Sequence, residues 1–227
     1  MLAGAEPPEE IIVEEHGIRM LIDVRAGHKT GSYLDQRPNR LLAHELLSRV
    51  ESASSMLNLF SYSGGFSLQG LRVPGVRAIN VDSSAPALAL AARNAELNGA
   101  ADRCTQVTAD VFKWLREEVT DTGSQDLVVL DPPKFAHNRG QVDRASRGYK
   151  DLNRLAMRHV KPGGYLMTFS CSGAVSADLF QKIVFSGMVE SGRRAQVIRH
   201  LEAGEDHPVA LTFPEGAYLK GLLLQVW

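Results

Sequence analysis

The chain has 227 residues, of which 44% are hydrophobic and 22% charged, and a formal net charge of −1. That size and balance suit one globular domain with a proper core and exclude a disordered chain. No apolar run approaches the roughly 20 residues of a membrane-spanning helix. The acidic, proline-bearing start has none of the marks of a signal peptide, and two cysteines, Cys104 and Cys171, exclude a disulfide framework. The expectation is a cytoplasmic protein with no membrane partner and no metal site.

In chain order, residues 1–10 read as a tail. Two β-rich stretches within 11–24 flank His16-Gly17, a hairpin whose glycine supplies positive φ at the turn. Residues 37–50 place Leu41, Leu42, Leu46 and Leu47 at helical spacing, a lead-in helix. Short apolar runs at 56–60, 78–81, 105–108, 127–130 and 165–169 then alternate with helical patterns near 65–71, 85–97, 111–119, 149–160 and 177–189. Strands separated by such helices need crossover connections, hence an α/β, doubly wound, mostly parallel sheet with helices on both faces. Segments 195–201 and 218–226 complete seven strands as neighbours, one of them antiparallel.

The chemistry gathers at strand ends. After the first strand of the alternation comes Asn58-Leu-Phe-Ser-Tyr-Ser-Gly-Gly-Phe66, whose adjacent glycines let a ligand approach the backbone at a helix N-terminus. It is not the G-x-G-x-x-G fingerprint, which argues against a nicotinamide or flavin enzyme. Asp82 ends the second strand, where an acid reaches ribose hydroxyls, and Asp110 ends the third, within reach of an adenine amino group. Either acid alone reads as a helix N-cap, whereas the pair at consecutive strand ends favours a nucleoside. Asp131-Pro-Pro-Lys-Phe135 follows the fourth strand; its prolines fix φ and remove donors, so carbonyls and a carboxylate face a planar substrate. Phe169-Ser-Cys-Ser-Gly173 ends the fifth, placing Cys171 beside that turn. A cysteine there is often a small buried hydrophobe, but next to such a turn its thiol can touch the substrate.

Between Lys134 and Lys161 lie eight basic residues, opposed by Asp143 and Asp151 alone. Isolated, such a run is a solvated face. Beside the substrate turn, Arg139, Arg144, Arg147 and Lys150 are placed to neutralise phosphates.

Nearly the whole chain, from about residue 11 to 227, resembles the 23S ribosomal RNA cytosine-5 methyltransferase I family, within the class I S-adenosylmethionine-dependent methyltransferases. The matching pieces are those three strand-end motifs together with Gly27-His-Lys-Thr-Gly-Ser-Tyr-Leu-Asp-Gln-Arg37, Asn94-Ala-Glu-Leu-Asn-Gly99, Arg147-Gly-Tyr-Lys-Asp151, Asp206-His-Pro208 and Phe213-Pro-Glu-Gly-Ala-Tyr-Leu-Lys-Gly221. The resemblance implies a class I, Rossmann-like methyltransferase domain over 37–227, with the hairpin and its connecting segment over 11–36. It implies S-adenosylmethionine as cofactor and ribosomal RNA as partner, and is compatible with a homodimer.

On this reading Cys171 is the nucleophile that adds to carbon 6 of a cytosine, and Asp131 holds the base edge. Positive charge such as Lys134 favours the thiolate. The expected cofactor contacts are Gln36, Phe60, Ser61, Tyr62, Gly64, Asp82, Ser83, Asp110, Val111 and Asp131. The expected substrate contacts are Pro132, Pro133, Lys134, Phe135, Arg139, Arg144, Arg147 and Lys150. For the base that removes the carbon-5 proton, Asp131, His207 and Glu215 are candidates, since no second cysteine accompanies the Asp-Pro-Pro turn. The family usually carries an N-terminal RNA-binding domain of the PUA type; this chain starts almost at the hairpin, so it is expected either to be a fragment or to bind RNA without that module. The competing readings are methylation of a ring or amino nitrogen of an RNA base, and a non-catalytic RNA-binding protein that kept the fold.

Overall fold

A computed structural model describes residues 8–25, 31–52, 55–118 and 122–227. Residues 27–30 of the Gly27–Arg37 motif and the expected helix end at Val119 lie outside them. β1 (Ile11–Glu15) and β2 (Ile18–Ile22) form the hairpin, with Glu15 opposite Ile18 and both turn residues, His16 (φ 46) and Gly17 (φ 81), left-handed. This is the turn whose twist matches two paired strands. The hairpin is docked by asparagines from the Asn94–Gly99 motif: Leu21 N donates to Asn94 Oδ1 at 2.7 Å, Arg19 N to Asn98 Oδ1 at 2.9 Å, and Asn98 Nδ2 to Arg19 O at 2.7 Å. Side-chain amides thereby satisfy an edge strand that would otherwise invite another chain.

The main body runs α1 (Arg37–Arg49), β3 (Ser55–Leu59), α2 (Gly65–Gly70), β4 (Arg77–Asp82), α3 (Ala85–Leu97), β5 (Cys104–Thr108), α4 (Val111–Glu117), β6 (Gln125–Leu130), α5 (Val142–His159), β7 (Val160–Ser170), α6 (Ala177–Ser191), β8 (Ala195–Leu201) and β9 (Lys220–Val226). The seven strands are ordered β5-β4-β3-β6-β7-β9-β8. The first five are parallel, and β9 runs antiparallel to both β7 and β8. The last strand of the chain is thus interior, and β8 forms the edge.

Alternation along the strands divides the core between two faces. Val128 and Leu130 of β6 pack with α4, α5 and α6, through Leu115, Leu152 and Phe180, while Leu127 and Val129 pack with α1 and α2, through Leu46 and Phe66. All six residues of β6 are buried, as expected for a central parallel strand covered on both sides. The helix expected at 149–160 starts earlier, at Val142. Its first two turns are carried by Val142, Ala145 and Tyr149 at helical spacing, a pattern hidden by the loop-like Ser146-Arg147-Gly148. The chain winds outward from β3 to β5 and returns to β6 on the other side of β3. That reversal leaves a crevice at the carboxyl ends of β3 and β6, where ligands bind in open parallel sheets.

Candidate active site

A cavity of about 1200 Å³ opens at that crevice. Its floor is the turn after β3. Phe60 (φ 59) and Tyr62 (φ 48) both adopt left-handed backbone, which bulky residues do only when surroundings over-determine it. Here Phe60 N and Ser61 N both donate to Val81 O, at 2.9 and 3.2 Å, and Tyr62 N donates to Asp82 Oδ2 at 2.9 Å. The other carboxylate oxygen, Asp82 Oδ1, accepts Ser84 N at 2.9 Å. Phe60, Ser61, Tyr62, Asp82 and Ser83 all line the cavity, and the Tyr33 ring stands edge-on to Tyr62 with centroids 5.4 Å apart.

Three expected cofactor residues stand outside the cavity wall. Gly64 (φ 81) faces the protein, where a Cβ would meet Asn80 Nδ2 at 3.1 Å and Ala91 Cβ at 3.2 Å; its role is to let α2 start against α3. Asp110 caps α4, accepting Lys113 N at 2.9 Å, and Val111 is buried in the core. β5 is the edge strand on that side, so its end sits two strands from the crevice.

The opposite wall joins β6, β7 and the segment before α1. Asp131, Pro132, Pro133 and Lys134 line it, with Cys171 from the end of β7. Gln36 Nε2 donates to Asp131 Oδ2 at 3.0 Å, and Asn39 Nδ2 holds Gln36 Oε1 at 2.7 Å and Glu202 O at 3.0 Å. Ser172 ties the two strand-end turns together: its hydroxyl accepts Phe135 N at 3.2 Å and Ala136 N at 3.1 Å and pairs with Tyr149 Oη at 2.9 Å. Burial pushes the Tyr149 phenol pKa up, so it stays a neutral partner.

Sequence reasoning gave no role to Asp35, Tyr218 or Lys220. Asp35 and Tyr218 both line the cavity, and Tyr218 Oη donates to Asp35 Oδ2 at 2.5 Å. Burial, then the Asp35 carboxylate, pushes the Tyr218 phenol far above its ordinary range, with the neighbouring Cys171 and Asp131 adding to the effect. Lys220 Nζ donates to Ser172 O at 2.7 Å and Val175 O at 2.8 Å, the backbone on either side of Gly173. Their signal is the Phe213–Gly221 motif, whose Tyr-Leu-Lys carries both Tyr218 and Lys220.

The expected substrate residues separate into two groups. Pro132, Pro133 and Lys134 face the cavity, whereas Phe135 packs inward between Phe112 and Tyr149, at centroid distances of 6.0 and 4.7 Å. Arg139, Arg144 and Arg147 are exposed beyond the cavity, and Lys150 pairs with Glu190 of α6 at 2.7 Å. Arg154 is likewise paired, with Asp151. Of the three proton-acceptor candidates, Asp131 and Glu215 line the cavity and His207 does not.

Among the described residues, no group of three or more histidine, cysteine, aspartate or glutamate side chains is placed to hold a metal ion, and no helix is long and apolar enough to cross a membrane. The profile of the family described as S-adenosylmethionine-dependent methyltransferase matches residues 1–225. The chain is 48% identical over 228 residues to "Ribosomal RNA large subunit methyltransferase I" of Shewanella amazonensis, covering all of this chain and 57% of that protein. It is 46% identical to the protein of the same name from Aeromonas salmonicida, covering 99% of this chain and 56% of that protein. The chain therefore spans little more than half the length of these relatives. Among solved structures, SMU.776, a methyltransferase crystallised with SAH, superposes with a TM-score of 0.83 at 25% identity, over 99% of this chain and 58% of that one. A methyltransferase from Agrobacterium tumefaciens shares the fold at a TM-score of 0.71 and 20% identity, over 98% and 71% of the two chains. With the family profile spanning almost its whole length, the chain belongs to the S-adenosylmethionine-dependent methyltransferase family.

Proposed function

We propose that this chain transfers a methyl group to carbon 5 of a cytosine in large-subunit (23S) ribosomal RNA, through a covalent adduct with Cys171. The observation that carries the reading is that Cys171 and Asp131, at the ends of adjacent strands, line one cavity. The relatives' printed names supply the RNA. Residues 37–227 are then the catalytic unit, and of the hairpin and connecting segment, 11–36, Met20, Asp23, Ser32 and Tyr33 line one side of its cavity.

The walls suit S-adenosylmethionine. A cavity of about 1200 Å³ exceeds the roughly 300–1,000 Å³ of a single-ligand pocket, leaving room for a nucleoside and a base together. The Asp82 carboxylate, held by two backbone amides, stands where ribose hydroxyls are bound, and Phe60, Ser61, Tyr62, Ser83 and Gln36 complete that half. Asp110, exposed at the β5 end, remains as an outer contact for a purine reaching that far, whereas the buried Val111 does not. When bound, S-adenosylmethionine supplies an electrophilic methyl group on a sulfonium centre.

The residues of the other half do the rest. Carbon 5 of cytosine is a poor nucleophile, and addition of the Cys171 thiolate to carbon 6 makes it enamine-like. After carbon 5 has taken the methyl group, loss of its proton to a base and departure of the Cys171 thiolate restore the aromatic ring. Asp131, stiffened by the two prolines and aimed by Gln36, holds the base edge through this cycle. Pro132 and Pro133 wall the base, Phe135 backs the turn from inside, and Lys134, Arg139, Arg144 and Arg147 face the phosphates around the target.

RNA carrying 5-fluorocytosine at the target tests the reading directly. Fluorine at carbon 5 cannot leave as a proton, so the wild-type protein with S-adenosylmethionine should stall as a protein–RNA adduct, absent in Cys171→Ala. Methylation of the unmodified RNA by both proteins without any adduct would transfer the chemistry to a ring or amino nitrogen.

A further inference from the structure

We propose that Lys220 is the positioning residue that holds Cys171 in its reactive thiolate form. The inference rests on Cys171 being the nucleophile, and it names a cation that no strand-end motif supplies. β9 pairs with β7 so that Lys220 lies directly opposite Ser170, the residue before Cys171. The ammonium donates to the carbonyls of Ser172, the residue after Cys171, and Val175, at 2.7 and 2.8 Å. Two of its three protons are thus committed to the backbone that carries Cys171, and among the described residues no carboxylate pairs with Lys220. A cation fixed in this way keeps its place whether or not RNA is bound, unlike the exposed Lys134.

Burial is the main influence on Lys220 and pulls its pKa below the ordinary lysine range; Cys171 opposes the fall and Lys134 adds to it. Interaction between two ionisable groups is mutual, so a thiolate that favours the ammonium is favoured by it to the same extent. The other groups around the cysteine decide whether this wins. Tyr149 from α5 and Tyr218 from the approach to β9 are neutral phenols. Asp131, Asp35 and Glu215 share the cavity as acids, and Lys134 and His137 share it from the turn after β6. Of the acids, Asp131 is engaged by Gln36 and Asp35 by Tyr218, and Glu215 is exposed to solvent that screens it. Lys220 is half-buried and tied to the backbone next to Cys171, where a charge is screened less than at the exposed Glu215.

The pH dependence of Cys171 alkylation by iodoacetamide, read peptide by peptide in the mass spectrometer, measures the thiolate without RNA or cofactor. In Lys220→Met the profile should move to higher pH by about one unit, with alkylation about tenfold slower at neutral pH, as for a thiol that has lost a neighbouring cation. Lys220→Arg should restore most of the rate. Lys220→Gln keeps a donor for the two carbonyls without the charge, so it should behave like Lys220→Met, provided circular dichroism shows a folded protein. Cys104, across the sheet on β5 and pushed up by burial, should keep its own profile in every variant and serves as the internal reference. An unshifted Cys171 profile in folded Lys220→Met or Lys220→Gln overturns the proposal. A shifted profile together with no 5-fluorocytosine adduct upholds the role of Lys220 in setting the thiol and overturns the covalent mechanism instead.

Discussion

The hydroxyl of Ser172 accepts the backbone amide of Phe135 at 3.2 Å, and this contact joins the two turns that present Cys171 and Asp131 to the cavity. The same oxygen takes Ala136 N, and Ser172 is fully buried. Ser172→Ala should leave two inward-facing amides without an acceptor, at a cost of about 1–3 kcal/mol for each donor that water cannot reach. Urea denaturation reads that loss. Methyl transfer in the folded fraction should fall as well, because the distance between thiol and carboxylate is no longer fixed. Stability within about 0.5 kcal/mol of wild type would show that the turns are held by their own prolines.

Gln36 aims Asp131 from another part of the chain. Its amide is a donor to a carboxylate and is itself held by Asn39. Hydrogen bonds to charged groups contribute about 1.5–3 kcal/mol, so Gln36→Ala should lower kcat/KM about 10- to 100-fold. Gln36→Glu should be worse, since it sets a second carboxylate against the first. Steady-state methylation with tritiated cofactor checks both, and a Gln36→Ala enzyme with wild-type kinetics would remove this residue from the site.

Arg144, Arg147 and Lys150 share α5 and differ in their partners. Lys150 is paired with Glu190, whereas among the described residues no carboxylate pairs with Arg144 or Arg147. If the arginines contact phosphates, each change to alanine should weaken RNA binding and reduce the slope of log K against log salt by about 0.7–0.9. Lys150→Ala should leave the slope unchanged. Filter binding across a salt series separates the two classes, and equal slopes for all three variants would move the RNA path elsewhere.

Asp151 provides a pH-dependent share of stability. Burial raises its carboxyl pKa, but the hydrogen bonds from Arg154 and Arg116 outweigh it and hold the group below its usual range. A folded-state value lower than the unfolded one of about 3.9 stabilises the protein fully above that pH, and the contribution drains away as pH falls below it. Asp151→Asn should therefore lose about 1–2 kcal/mol at pH 7 and be nearly equal to wild type near pH 2–3. Urea midpoints at the two pH values test this; an equal deficit at both would assign the loss to packing.

Much of the architecture was legible in the residues. The His16-Gly17 turn, the strands of the alternation and the N-terminal ends of α3, α4 and α6 fall where local pattern and turn chemistry put them. The start of α5 was not, because Ser146-Arg147-Gly148 is loop-like in composition and helical only through its packing. Gly148 leaves space for the Phe135 ring, 3.4 Å from where its Cβ would stand. The Asn94–Gly99 motif was visible as a pattern, yet its use, docking the hairpin through Asn94 and Asn98, depends on where β2 lies in space.

By itself the sequence determined that the ends of β3, β4, β6 and β7 face one crevice. Parallel strands joined by crossover helices all deliver their carboxyl ends to the same edge, so a motif that follows a strand is placed by local chain order alone. Only the tertiary structure decided which side chains share that crevice. Asp110 is a cap because β5 is the far strand, Lys150 is neutralised because α6 packs against α5, and Lys220 reaches the carbonyl of Ser172 because β9 inserts between β7 and β8. Each of these depends on neighbours 30 or more residues apart in sequence or on the order of strands, and neither periodicity nor spacing encodes it, because hydrogen bonds and Coulomb interactions act across space and not along the chain.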